Sequence, residues 1–342
     1  MSALPWNNPD RAEALFEQLN KRVLLLDGAM GTMIQQRKLT EEDYRGDRLT
    51  DHGSDMKGNN DMLSLTQPDI IREIHNDFLE VGSDLVETNT FNSNRISQAD
   101  YDAEDYVPEL NETGARIARE ACDAFEKKNP DKPRFVVGVL GPTNRTASIS
   151  PDVSNPGYRA VTFDDLVENY EEAAHSLFDG GADMLMIETV FDTLNAKAAG
   201  FAVNKVFQER KARWPLIISG TITDASGRTL SGQTPEAFYY SINHTGAQAV
   251  GFNCALGARQ LKPHVEALSK VAECYVTAHP NAGLPNEMGE YDETPEQMAD
   301  QIRPFLEDRL VNIIGGCCGT TPDHLSDIHE LVSGAKPRQV KA

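Results

Sequence analysis

Five cysteines, at positions 122, 254, 274, 317 and 318, are an odd number in a chain of 342 residues. That argues against a disulfide framework and for thiols that stay reduced as ligands or core residues. Three of them end glycine-rich apolar runs: Cys254 in GFNCALG, and Cys317 with Cys318 in IIGGCCG. If these runs are strands whose tips share one end of a sheet, the three thiols meet. Zn2+ is the metal that accepts such a set, because it tolerates a tetrahedral sulfur shell without redox chemistry. Adjacent residues of a regular strand face opposite ways, so Cys317 and Cys318 can serve one ion only where the backbone leaves strand geometry, which Gly315, Gly316 and Gly319 permit. The pair also reads as buried core cysteines or as a strained vicinal disulfide. Cys122 and Cys274 read as structural.

An ion already carrying three thiolates is a weak Lewis acid for making hydroxide, but it can bind a substrate thiol, lower its pKa and hold it as a nucleophile. Alkyl transfer to sulfur is the reaction class expected. An amino-acid thiol also needs an anchor for its ammonium, and Asp27 and Glu188 are carboxylates at the ends of apolar runs. Each has a second reading: Asp27 as the N-cap of a following helix, Glu188 as half of a buried ion pair. Backbone N–H groups around Gly28 and Gly31, or in the turn 88–92, could hold the substrate carboxylate. His279, in TAHPNAG, is a fourth ligand, a base, or a satisfied structural histidine. The glycines of GAMGT lack dinucleotide or P-loop spacing, and no H-x-H pair supports a hydrolytic metallo-barrel.

These residues need a frame that brings distant segments together. Eight short apolar runs begin near residues 22, 84, 134, 183, 215, 249, 274 and 310. Helix-period segments at 70–81, 110–125, 166–178, 193–208, 235–242, 261–271, 295–306 and 322–332 lie between and after them. Alternation of this kind fits an open doubly wound sheet or a closed (β/α)8 TIM barrel, and the count of eight favours the barrel. Asp27, the run 87–92, Glu188, Cys254, Asn281 and the cysteine pair then all stand at the C-terminal rim. Long polar insertions at 35–61 and 141–162 are candidate walls or lids, or surface decoration. The division expected is an N-terminal extension at 1–21, a barrel at 22–334 and a tail at 335–342. With 39% apolar and 25% charged residues the chain is a folded globular protein, and a net charge of −21 disfavours nucleic acid and anionic membranes. No secretory start or apolar span is visible, so a cytoplasmic protein is expected.

The segments LLLDGAMGTMIQ, ETNTFNSN, GPTNRTASISPDVSNPGYRAVTFD, IETVFDTLNAKAA, GFNCALG, TAHPNAGLPNEMGEYD and GGCCGTTPDH together resemble the homocysteine-binding module of cobalamin-dependent methionine synthase, over nearly the whole chain. The G-x-N-C and GGCCG elements alone are similar to the wider zinc-dependent homocysteine methyltransferase family, which includes the betaine and S-methylmethionine enzymes. The GPTNRTASISPD loop narrows the resemblance to the cobalamin branch. The resemblance implies a (β/α)8 barrel with a catalytic zinc at its C-terminal rim, bound by Cys254, Cys317 and Cys318, with the sulfur of homocysteine as fourth ligand. It implies Asp27 and Glu188 at the substrate amine, and Asn281 at the metal position when substrate is absent. It further implies a methyl group delivered by methylcobalamin, recharged from methyltetrahydrofolate, on a partner module or subunit, with methionine as product. Methionine synthase continues into folate and cobalamin modules where this sequence stops at Ala342, so a subunit of a split enzyme or an excised module is expected. The alternatives are a self-contained methyltransferase using S-methylmethionine or betaine, and a non-catalytic zinc- or thiol-binding module.

Overall fold

The apolar runs form strands buried on both faces, as a parallel sheet sheathed by helices requires. In a computed structural model that describes residues 4–223 and 226–340, the strands are β1 (Leu24–Leu25), β2 (Leu85–Glu87), β3 (Phe135–Leu140), β4 (Met184–Val190), β5 (Leu216–Gly220), β6 (Ala249–Gly257), β7 (Tyr275–Asn281) and β8 (Ile313–Ile314). All pair in parallel, in the order β1-β8-β7-β6-β5-β4-β3-β2. A parallel bridge between Leu26 and Leu85 joins the two ends of that order, with the Asp84 N–H donating to Leu25 O at 2.7 Å and the Asp27 N–H to Leu85 O at 3.1 Å. The ring closes, giving the (β/α)8 barrel expected from the strand count.

Each expected helix is present, and several start earlier than their apolar periodicity does. Phe163–Asp179, for one, begins on a capping box of Thr162 and Asp165. Polar caps close orphan N–H groups at a helix start and carry no apolar signal. The helix Pro9–Lys21, capped by Asn8, lies ahead of β1 in sequence but belongs to the core in space. Leu15 and Leu19 pack with Leu24, Leu26, Phe135, Met184 and Ile313 inside the N-terminal mouth of the barrel. Past the last helix, Arg338 is buried and donates to the carbonyl oxygens of Cys274 and Ser269 at 2.9 Å each. No helix of the described residues is long and apolar enough to cross a membrane.

A very close backbone approach in this frame bears on the site. A Cβ on Gly251 of β6 would lie 1.9 Å from the Thr277 carbonyl oxygen of β7. Gly251→Ala must therefore spread the two strands that carry Cys254 and Asn281. A stability loss of about 3 kcal/mol or more is expected, at the upper end of overpacking costs. A shift in the urea unfolding midpoint at unchanged slope measures it.

Candidate metal and thiol-binding site

At the C-terminal tips of β6 and β8 the backbone departs from strand geometry, and those departures set the cysteines. On β6 the pairing with β7 runs regularly to Asn253 opposite His279 and resumes only at Gly257 opposite Asn281. Cys254 and Ala255, inside this bulge, take left-handed φ values of 60° and 58°. Such a conformation costs a non-glycine residue on the order of 1–3 kcal/mol and persists where surrounding structure imposes it. Strand β8 ends at Ile314, and the chain then turns over Cys317, whose carbonyl accepts from Thr320 N at 3.0 Å and Thr320 Oγ1 at 2.6 Å. Gly319 completes the turn with φ +82°. The departure inferred from the glycines is thus real, and it lets neighbouring cysteines face one point.

The sulfurs of Cys254, Cys317 and Cys318 lie within 4.8 Å of one another, and Cys254 Sγ is 3.6 Å from Cys318 Sγ. Three sulfurs bound to one zinc at about 2.3 Å in a tetrahedral shell stand about 3.8 Å apart, so the set fits the ion. All five cysteines are free thiols, so the vicinal disulfide is not formed. Hydrogen bonds from Cys254 and Cys317 pull Cys318 down to about 3. Cys254 is drawn down by Cys317, but the bond to Cys318 and burial push it up to about 12. One sulfur thus carries charge on protons shared by the others, and a cation bound there displaces those protons. A second cluster, Glu171, His175 and Glu209, is already satisfied: Lys205 Nζ sits 2.7 Å from Glu171, and Arg210 Nε donates to His175 Nδ1 at 3.1 Å.

Beside the sulfurs opens a cavity of about 420 Å3 whose wall includes Asp27, Glu87, Glu188 and all three cysteines. Asp27 is not a helix cap: the following helix, Met30–Gln36, starts at Ala29 without a side-chain bond. Its Oδ2 accepts the Glu87 N–H at 3.1 Å and its buried Oδ1 has no partner. Nor is Glu188 half of an ion pair; its Oε1 accepts from Asn253 Nδ2 at 3.3 Å. Burial first, then the Cys318 charge, push its carboxyl up to about 8. Burial and their acidic neighbours raise Asp27 and Glu87 as well. A cavity of about 400 Å3 at the opposite end of the barrel, between Trp6, Arg11 and Arg213, contains no cysteine.

The model of the homocysteine S-methyltransferase family matches residues 24–332. The chain belongs to that family. Crystal structures of the homocysteine methyltransferase MmuM from Escherichia coli share its fold. The metallated form has a TM-score of 0.72 at 21% identity, covering 94% of this chain and 99% of that one. The oxidised form gives 0.72 and 21%, with 95% and 99% covered, and the apo form 0.68 and 21%, with 94% and 99%.

In this member of the family, not every other expected residue lines the cavity. Asn281 ends β7 with its Oδ1 buried and unpartnered and its Nδ2 3.5 Å from the Tyr291 hydroxyl. His279 contacts Thr277 Oγ1 at 2.5 Å, its Nδ1 is buried without a partner, burial pushes it down to about 3, and it does not line the cavity. Within the turn 88–92, the Asn92 N–H already donates to Asp61 Oδ2 at 2.7 Å and offers nothing to a substrate carboxylate. Of the two long insertions, the first supplies Gln35, Asn60 and Asp61 to the cavity wall. The second does not line it; Ala147 N and Ser148 Oγ are tied to Asn195 and Asp192 at 2.9 and 2.5 Å. The loop after β7 takes that place with Gly289 and Tyr291, whose hydroxyl faces the Cys318 sulfur.

Three residues were given no role by the sequence reading, although Glu87 stood in the run 87–92 placed at the rim. Asn253, wholly buried, accepts from Ser219 Oγ at 2.6 Å and donates to Thr189 Oγ1 at 2.8 Å, locking β4, β5 and β6 together. A polar residue beside the cysteine in GFNC was its only signal. Glu87 was visible as the first acid of ETNTF, and Tyr291 had no signal.

Proposed function

We propose that this family member methylates homocysteine at a zinc held by Cys254, Cys317 and Cys318, giving methionine. The reading is carried by one observation: three mutually close thiols share a cavity with buried carboxyls that have no cation. Zinc at the cysteines would keep the homocysteine sulfur as a thiolate at neutral pH. Asp27 and Glu188 take the substrate ammonium, which fixes the far end of the molecule and aims its sulfur outward along the barrel axis. Asn253 keeps Glu188 in place from behind. The new S–CH3 bond forms as the bond between methyl and donor breaks, and the electron pair leaves with the donor.

The donor divides the proposal into two readings, each favoured by a different observation. A self-contained enzyme using S-methylmethionine or betaine is the one the comparisons support better, since the structural relatives are homocysteine methyltransferases matched along 99% of their length. The cavity of about 420 Å3 with acidic walls also suits a small onium donor beside the acceptor. The resemblance carried by the GPTNRTASISPD loop favours methylcobalamin on a partner; a corrin is too large to enter and presents its methyl at the rim. X-ray absorption at the zinc edge tests the shared step: the protein is expected to hold about one zinc, with three sulfurs becoming four when homocysteine is added. A sulfur count indifferent to homocysteine sinks it. Turnover of the zinc-loaded protein with S-methylmethionine or betaine decides for the first donor, and turnover with methylcobalamin alone for the second. Binding of homocysteine without turnover of any donor leaves a thiol-binding module.

A further inference from the structure

Four carboxyl groups border the cavity; Asp61 already accepts from Asn92 N–H and the Ser93 hydroxyl at 2.7 Å each, and the function proposed above uses two of the other three. No lysine, arginine or histidine lines this cavity among the described residues. Asp27 and Glu87 are locked side by side across β1 and β2, because the Glu87 N–H donates to Asp27 Oδ2 at 3.1 Å. Each keeps one buried oxygen with no donor, Oδ1 of Asp27 and Oε1 of Glu87. Glu188 reaches the same space from β4 and repels both. Buried acceptors are normally satisfied, and buried carboxylates normally meet a cation, so an arrangement missing both is built for a ligand that brings them. A primary ammonium carries three N–H donors, one for each of these acids.

We propose that Glu87 is the third contact of the substrate ammonium, and that it makes the site select a free primary amine. The inference rests on the homocysteine reading above. It gives Glu87 a binding role: an entering ammonium supplies the donor that its buried Oε1 lacks.

The test is calorimetric titration of the zinc-loaded protein with homocysteine and with 4-mercaptobutyrate, the same thiol without its amino group. Glu87→Gln is expected to weaken homocysteine by about 10- to 150-fold, the range for a lost hydrogen bond to a charged group. It should leave 4-mercaptobutyrate within about twofold, because that ligand never made the contact. Zinc content should stay the same, and the ligand-free variant should unfold at a temperature no lower than the wild type, since the buried Oε1 of Glu87 has no hydrogen bond to lose. Equal weakening of both thiols, or a lowered unfolding temperature, would overturn the proposal and make Glu87 a wall support. So would an unchanged homocysteine affinity. A wild-type protein that binds neither thiol overturns the homocysteine reading itself, which the variant comparison cannot be confused with.

Discussion

Replacing Cys254, Cys317 or Cys318 with alanine is expected to take zinc from about one per chain to near zero and to lower methyl transfer by on the order of 10^3-fold or more. Two effects combine in that figure. A free thiol of pKa about 8.5 is only a few per cent thiolate at neutral pH, and a substrate no longer held by its sulfur loses its orientation. The barrel should remain folded, because none of the three side chains belongs to its buried apolar core. Far-UV circular dichroism with metal analysis checks both halves of the statement. Cys122→Ala and Cys274→Ala are the matched controls: Cys122 is a wholly buried packing residue and Cys274 begins at the opposite end of β7, so zinc and activity should persist. Full activity in Cys254→Ala would falsify the metal assignment.

The second large effect is expected at the other end of the substrate. Glu188→Gln keeps an oxygen for Asn253 Nδ2 to bond, at the position now 3.3 Å away, while removing the charge offered to the ammonium. A charge-assisted hydrogen bond contributes about 1.5–3 kcal/mol, so homocysteine should bind roughly 10- to 150-fold more weakly. Metal content should not change. 4-Mercaptobutyrate, with no amine to lose, should bind the wild type less tightly than homocysteine does and lose little more in the variant. If both thiols weaken alike, Glu188 is a support for the strand tips through Asn253 and the amine lies elsewhere.

Most of the frame was legible because it rests on repeated local signals. Eight apolar runs separated by helix-period segments leave few ways to bury every strand on both faces, and a closed ring is the one that uses eight. The cysteines were legible for a related reason: residues with strong ligand chemistry, placed where apolar runs end, converge once the ring is assumed. The helix Pro9–Lys21 was not, since an amphipathic helix ahead of a barrel looks alike whether it covers the mouth or trails into solvent. Only its contacts with Leu24 and Leu26 distinguish the two.

By itself the sequence determined the fold class and placed Cys254, Cys317, Cys318, Asp27 and Glu188 at strand tips, because each placement depends on residue type and on which end of a strand it occupies. Only the tertiary structure decided the left-handed turn at Cys254, the pairing of Asp27 with Glu87, and the approach of Tyr291 to Cys318. It also decided that the 35–61 insertion and the loop after β7 line the cavity while the 141–162 insertion does not. The physical reason is that local preference sets which element a segment forms, whereas register slips and loop approaches are set by closing the ring. The four-residue advance of β6 against two of β7 is a property of two strands held together, and neither strand encodes it alone.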